Sequence, residues 1–247
     1  MSWPAFEVLR PDVHSSCVLL CDHASNAVPP GLTNLGLPQA EFDRHIGYDI
    51  GAAAITRLLS QRFDAPAVLC GTSRLVIDCN RTFTDPTLIP ETSDGTAIPG
   101  NRAIGITERL DRIARFFEPY HQETDRMLAR ATAGGRRPLV VSVHSMTERM
   151  KGIHRPWQIA LSSDGKRRAT DPVLAALSRV PGLTVGDNEP YAMDPAQDYS
   201  IMRHALIHGL DYLQVEFRQN EVATPAGQAA YERIFASAVI ESGVLGV

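Results

Sequence analysis

Short runs rich in apolar residues recur at 18–23, 67–71, 74–79, 139–145, 157–162, 183–187 and 211–217, and each reads as a strand. Between them the apolar spacing lengthens toward the helical period. In 39–63 the residues Phe42, Ile46, Ile50, Ala53, Ala54, Leu58 and Leu59 fall near one stripe, and Gly47 and Gly51 predict a break or kink near residue 50. Residues 106–132 predict a long amphipathic helix, with Thr107 as cap and Leu110, Ile113, Ala114, Phe117, Tyr120, Met127 and Leu128 along its stripe. Pro119 is expected to kink it. Further helices are predicted over 170–179, 198–208 and 225–242. Strands alternating with helices point to an α/β fold with a mostly parallel sheet covered on both faces. No composition shift breaks the chain, so one domain over 1–247 is expected. The polar stretch 82–105, rich in Thr, Pro, Asp and Gly, reads as a functional loop or lid.

Composition narrows the class without naming a function. The 247 residues carry a formal charge of −4 and a pI near 6.1, which argues against a nucleic-acid footprint. No apolar run approaches the ~20 residues of a membrane helix. The N-terminus has no basic region followed by an apolar stretch, so a cytoplasmic protein is expected. Cys17, Cys21, Cys70 and Cys79 lie in apolar runs without metal-site spacing and read as buried thiols.

Chemistry enters where the apolar runs end. His23 closes Val18–His23, His144 closes Leu139–His144, and Glu216 closes Tyr212–Glu216. In an open α/β sheet the carboxyl ends of strands share one rim, where ligands bind. Two imidazoles and a carboxylate meeting there suit a divalent metal with an attacking water. Taken singly, each histidine is more often a strand-end residue bonded to a carbonyl; two such exits in one sheet favour ligation. Glu216 reads as a general base, with an Arg218 partner as the plainer alternative.

Three other segments carry polar groups at telling positions. His45 and Asp49 stand four apart, a spacing that puts both on one helix face as two ligands, or as a ligand and its orienting partner. In Ser73–Arg81, Arg74 and Arg81 flank an alternating core with Asp78 and Asn80 on one side of the pleat. Such arginines suit an acidic substrate, or a structural Arg–Asp pair. Asn188, in Asn188-Glu189-Pro190-Tyr191, offers a substrate loop. His204 and His208 read as an ordinary helical pair and His121 as packed at a helix bend. There is no Gly-x-Ser-x-Gly elbow, Walker-type loop or GxGxxG.

The segments CDHASNAVP, HIGYDIGA, SRLVIDCNR, VVSVHSMT, HRPWQIAL, DNEPY and VEFRQN, in this order over about 17–220, resemble the N-formylglutamate amidohydrolase family. The resemblance implies a three-layer α/β/α hydrolase fold of the zinc-dependent exopeptidase type, with a mostly parallel mixed sheet. It also implies hydrolysis of an amide whose product is an acidic amino acid. Carried over, His23 and His144 are the histidine ligands of one Zn2+ ion, or another divalent metal. Related peptidases place a Glu three residues after the first histidine, where this chain has Asn26. Asp49 is the expected third ligand, with His45 as the alternative.

The same resemblance makes Glu216 the general base and Asn80-Arg81 the pair holding substrate carboxylate. Arg74 or Arg218 would stabilise the oxyanion, Arg218 and Asn188 also being assigned to substrate binding. A small N-acyl acidic amino acid is then the partner, with neither nucleic acid nor membrane. The departure at Asn26 also motivates an alternative, a relative that binds small carboxylates without cleaving them. A hydrolase of another N-acyl amino acid or small peptide is the third reading.

Overall fold

Alternation of side chains along three central strands sets both the packing and the position of the site. The computed structural model describes residues 3–194 and 197–246. Its main sheet is formed by β1 (Phe6–Leu9), β2 (Cys17–Cys21), β3 (Ala67–Cys70), β4 (Leu139–Met146), β5 (Ile159–Ser162), β6 (Val185–Asp187) and β7 (Tyr212–Arg218), in the order β1-β3-β2-β4-β7-β5-β6. The β1–β3 and β7–β5 pairs are antiparallel and the other pairs parallel, so the sheet is mixed but mostly parallel.

On one face, Leu19, Val141, Val143, Leu213, Val215 and Phe217 join a core with Ile55 and Leu59 of α2 (Ala52–Arg62), Val173 of α5 (Thr170–Leu177) and Phe235 of α8 (Pro225–Glu241). On the other face, Val18, Leu20, Val140 and Tyr212 pack with Tyr120 and Met127 of α4 (Glu118–Thr132) and Ile201 of α6 (Tyr199–His204). Helices on both faces make the three-layer α/β/α arrangement.

That second face changes character along each strand. Val18 and Leu20 are followed at the same pleat by Asp22, Val140 by Ser142 and His144, and Tyr212 by Gln214 and Glu216. Register aligns these rows: Val140 pairs with Tyr212, Ser142 with Gln214 and His144 with Glu216, while Leu20 pairs with Ser142. Apolar residues thus hold the amino-terminal half of the face, and titratable ones converge at the carboxyl-terminal rim.

Several predicted elements take another form. Residues 74–79 are a buried turn, not a strand: Val76 N–H bonds the Ser73 carbonyl, and Arg74 Nη2 reaches Asp78 Oδ2 at 2.8 Å. An extended chain separates residues i and i+4 by roughly 13 Å, so that ion pair needs the coil. Residues 39–63 do not form one kinked helix. α1 (Gln39–Phe42) ends, a turn covers 43–51, and α2 begins. Gly47 permits this turn because a Cβ there would lie 2.2 Å from the Phe42 carbonyl oxygen. Gly51, at φ +85°, closes it against the Val222 backbone. His45 and Asp49 therefore share no helix face.

The 106–132 segment is helical throughout, as expected, but its ladder shifts midway: α3 (Ile106–Arg112) passes through a π-helical turn at Ile113–Phe117 directly into α4. Pro119 follows directly on the π-helical turn, where the hydrogen-bond ladder is already shifted. Gly105, rather than Thr107, occupies the N-cap. The 82–105 stretch contains a ribbon of Thr92–Ser93 with Thr96–Ala97, and it is fastened to the core, not poised as a free cover. Leu88, Ile89 and Ile98 are buried, and Asn101 Nδ2 donates to the carbonyls of Leu75 and Pro90 at 2.8 Å each. Its Leu88 carbonyl accepts from Asp78 N–H at 2.8 Å, bracing the turn that carries Asp78. Strand β1 escaped the sequence pattern because four residues on a sheet edge give too little alternation.

Candidate metal and hydrolytic centre

Three ligand atoms, from His23, Asp49 and His144, lie within 4.8 Å of one another, and all three residues are buried. His23 leaves β2 and His144 leaves the neighbouring β4. Asp49 is delivered by the 43–51 turn, whose Asp49 N–H bonds the His23 carbonyl at 3.0 Å. His23 Nδ1 is 3.3 Å and His144 Nδ1 3.1 Å from the same Asp49 Oδ2. The rings meet nearly edge to face, with centroids 5.2 Å apart.

The outer nitrogens determine what the inner ones can do. His23 Nε2 lies 2.7 Å from Asp78 Oδ1, so it carries the proton that this carboxylate accepts. Ser142 Oγ donates to Asp22 Oδ2 at 3.3 Å and can therefore accept from His144 Nε2 at 2.9 Å. Both neutral imidazoles then turn an Nδ1 lone pair toward Asp49 Oδ2. Three lone pairs converging in a buried space require either added protons or a cation. Imidazoles held by carboxylates on their far nitrogens are the usual arrangement around a ligated metal. The donor set fits a divalent ion of the zinc type.

Electrostatics agree with that reading. Burial disfavours the charged form of His144, but the hydrogen bonds it donates to Asp22 and Asp49 outweigh this and hold its pKa well above the ordinary value. Burial and Arg74 also oppose charge on His23, yet Asp78 and Asp49 leave its pKa raised. The carboxyls respond in the opposite sense. Burial would raise Asp49, Asp78 and Asp22, but the adjoining histidines, with Arg74 at the first two, hold all three below the usual carboxylate range. A cation would take the place of the protons these histidines otherwise retain.

Glu216 differs from the other acids. Its Oε2 is buried and has no hydrogen-bond partner among the described residues. Burial, reinforced by Asp49 and Asp198 and countered by His144, pushes its pKa up to about 7. A carboxyl poised near neutrality beside a ligand cluster has the character of a general base.

Arg74 joins Asp78 through Nε at 3.1 Å and Nη2 at 2.8 Å, and its Nη1 reaches Asp49 Oδ1 at 3.2 Å. It thereby orients one cluster carboxylate and the carboxylate behind His23. Asn80 accepts from Ser200 N–H at 3.0 Å and approaches Asp198 at 3.5 Å, which fixes the amide against α6. Arg81 donates to the Asn80 and Gln197 carbonyls and to Thr87 Oγ1, and has no carboxylate partner among the described residues.

Other expected site residues are occupied elsewhere. His45 pairs with Asp94 at 3.2 Å, outside the cluster. Asn26 donates to Asp43. Arg218 is taken up by Glu221, Asn220 and the carbonyls of Arg155 and Pro156. Asn188 accepts from Ser163 N–H at 2.7 Å, closing a turn beyond β5. His121 and His204 stack away from the cluster, 2.8 Å apart between Nδ1 and Nε2. The four cysteines are buried thiols.

Asp22 was passed over in the sequence, although it is the hub behind His144. Its oxygens accept from Tyr120 OH at 2.9 Å, Ser200 Oγ at 2.5 Å and Ser142 Oγ. The signal was present, because period-two counting puts residue 22 on the same face as 18 and 20. Gln214, which binds Asp198 at 2.8 Å, lies in the same polar row.

The family model for N-formylglutamate amidohydrolase matches residues 15–223. The chain belongs to the N-formylglutamate amidohydrolase family. Its fold is also similar to gene product Atu2144 from Agrobacterium tumefaciens, with a TM-score of 0.92, 32% identity, and 96% of this chain and 94% of that one covered. N-formylglutamate amidohydrolase from Ralstonia eutropha JMP134 shares the fold at a TM-score of 0.67 and 20% identity, over 95% of each chain. No curated protein matches the sequence. The family is one of amidohydrolases. Among the described residues no helix is long and apolar enough to cross a membrane.

Proposed function

We propose that this amidohydrolase releases the acyl group of N-formylglutamate, or of a closely similar small N-acyl acidic amino acid, with a divalent ion, zinc in the first instance, held by His23, Asp49 and His144. The observation that carries the reading is the convergence of two Nδ1 atoms on Asp49 Oδ2 beside Glu216, whose Oε2 is buried and has no partner among the described residues.

A divalent cation there supplies Lewis acidity toward a water molecule and the amide carbonyl. Glu216, as carboxylate, takes a proton from the attacking water and returns it to the departing amine nitrogen. Arg74, whose Nη1 lies 3.2 Å from Asp49 Oδ1, adds positive charge beside the carbonyl oxygen as that atom becomes anionic. Arg81, the guanidinium free of carboxylates next to the Asp78 turn, holds a substrate carboxylate, and Asn80 braces the backbone that presents it. Asp78 and Asp22 keep the two imidazoles oriented.

Formate release from N-formyl-L-glutamate by zinc-loaded protein tests this reading. Turnover that disappears in Glu216→Gln, with the metal still bound, supports it. Absence of turnover on every N-acyl acidic amino acid by protein with one zinc per chain would overturn it.

A further inference from the structure

Among the described residues only Arg112 and Arg155 are arginines buried as whole residues. Arg112 pairs with Glu108 and also donates to Asn101 and to backbone carbonyls. Arg155 has no carboxylate partner among the described residues. Its Nη1 donates to Thr147 Oγ1 at 3.2 Å and its Nη2 to Tyr191 OH at 2.5 Å. Both acceptors are neutral. A desolvated guanidinium satisfied only by hydroxyls is costly to hold unless an anion arrives.

Its anchoring places this group at the hydrolytic centre. Thr147 lies just beyond β4, three residues after His144. The Arg155 carbonyl accepts from Arg218 Nη1 at 3.1 Å, two residues after Glu216 on β7. Arg155 is therefore fastened to the exits of β4, which carries His144, and β7, which carries Glu216. The guanidinium carbon stands 4.8 Å over the Tyr191 ring, and Tyr191 as a residue is 42% exposed. Ser162 Oγ holds the Tyr191 carbonyl at 2.8 Å, tying this wall to β5 beside Gln214. The Tyr191 hydroxyl lies within the fields of Arg155, Glu216 and Arg74 together. Arg81, the other guanidinium without a carboxylate partner among the described residues near the centre, acts electrostatically on Asp78, behind His23.

We infer that Arg155, with Tyr191, forms the subsite for the second carboxylate of the substrate, the one on the amino-acid side chain, and so sets the preference for acidic residues. This rests on the hydrolase reading above. An N-acyl dicarboxylic amino acid carries both of its anions on the amine side of the scissile amide, one on Cα and one at the end of the side chain, so each needs its own cation. Arg81, next to the Asp78 turn, and Arg155, at the exits of β4 and β7, are two guanidiniums without internal carboxylates among the described residues, one for each anion. The planar fork of Arg155 can take a carboxylate bidentately, and Tyr191 OH can turn its proton to the same anion.

The test compares L-glutamate with L-glutamine, equal in shape and different in charge, by calorimetric titration into zinc-loaded protein. The native protein should bind glutamate on the order of 30- to 100-fold more tightly, the range expected for charge-assisted hydrogen bonds. Arg155→Met should shrink that ratio to about 3-fold or less. Arg155→Lys should restore part of it by charge without the fork, and Tyr191→Phe should reduce it more mildly. The lysine and phenylalanine variants keep the inference testable if the methionine variant does not fold. A native protein indifferent to the two ligands would overturn the inference, as would variants that weaken both equally. These binding outcomes are separate from the hydrolytic reading, whose own failure would appear as absent formate release with the glutamate preference intact.

Discussion

Glu216 and His144 are cross-strand partners on adjacent parallel strands, one a half-buried carboxyl whose Oε2 has no hydrogen-bond partner among the described residues and the other an imidazole bonded on both nitrogens. Their register places a group able to move a proton beside a group suited to hold a cation. Glu216→Gln keeps the shape and removes the base. It should lower kcat by about 10²- to 10⁴-fold while leaving metal content unchanged. Formate release and metal analysis on the same sample check this.

Without metal, the Glu216 carboxyl has a second, opposite signature. Its folded pKa of about 7 exceeds the ordinary 4.5, so between these values the folded state binds more protons than the unfolded one. Its contribution is complete below about pH 4.5 and is lost as the pH rises through 7. Metal-free protein should lose stability on the order of 3 kcal/mol across this window from this group, and Glu216→Gln should flatten the loss. Urea melts of both proteins between pH 4.5 and 8 measure the difference.

Metal binding should release protons. His144 and His23 have raised pKa values without a cation, and both must present an unprotonated Nδ1 to bind one. Affinity should therefore rise with pH through the neutral range, and binding heats should depend on the ionisation enthalpy of the buffer. Calorimetry in phosphate-free buffers of differing ionisation heat gives the proton count.

Asp78→Asn should expose the role of the carboxylate behind His23. The 2.7 Å contact to His23 Nε2 and the fork from Arg74 are both weakened, while the three ligand side chains remain. Metal affinity is expected to fall about 10- to 100-fold. Competition with a chromogenic chelator reads this directly.

Asp22→Ala removes the acceptor shared by Tyr120, Ser142 and Ser200 and leaves their hydroxyls in the core. A loss of about 3–5 kcal/mol is expected, in the range for breaking a buried charged network. Chemical denaturation of native and variant protein tests it.

The strand exits were legible because the chain changes from apolar to titratable within one pleat period. That pattern marks His23, His144 and Glu216 in the sequence. Residues 74–79 misled for the same reason: Leu75, Val76 and Ile77 are as apolar as a strand, but the Arg74–Asp78 pair coils them. Asp49 was visible as a titratable residue between glycines, yet its approach depends on a turn permitted by Gly47, which periodicity reads as helix. Arg155 gave no local signal, since its lack of a carboxylate partner exists only once the chain is folded.

Metal content measured beside hydrolysis bears most directly on the centre. Native protein should carry one divalent ion per chain and release formate from N-formyl-L-glutamate. His23→Ala, Asp49→Ala and His144→Ala should each lose both ion and turnover, and zinc should restore native protein stripped by chelator. Undiminished turnover by protein shown to contain no metal would contradict the account.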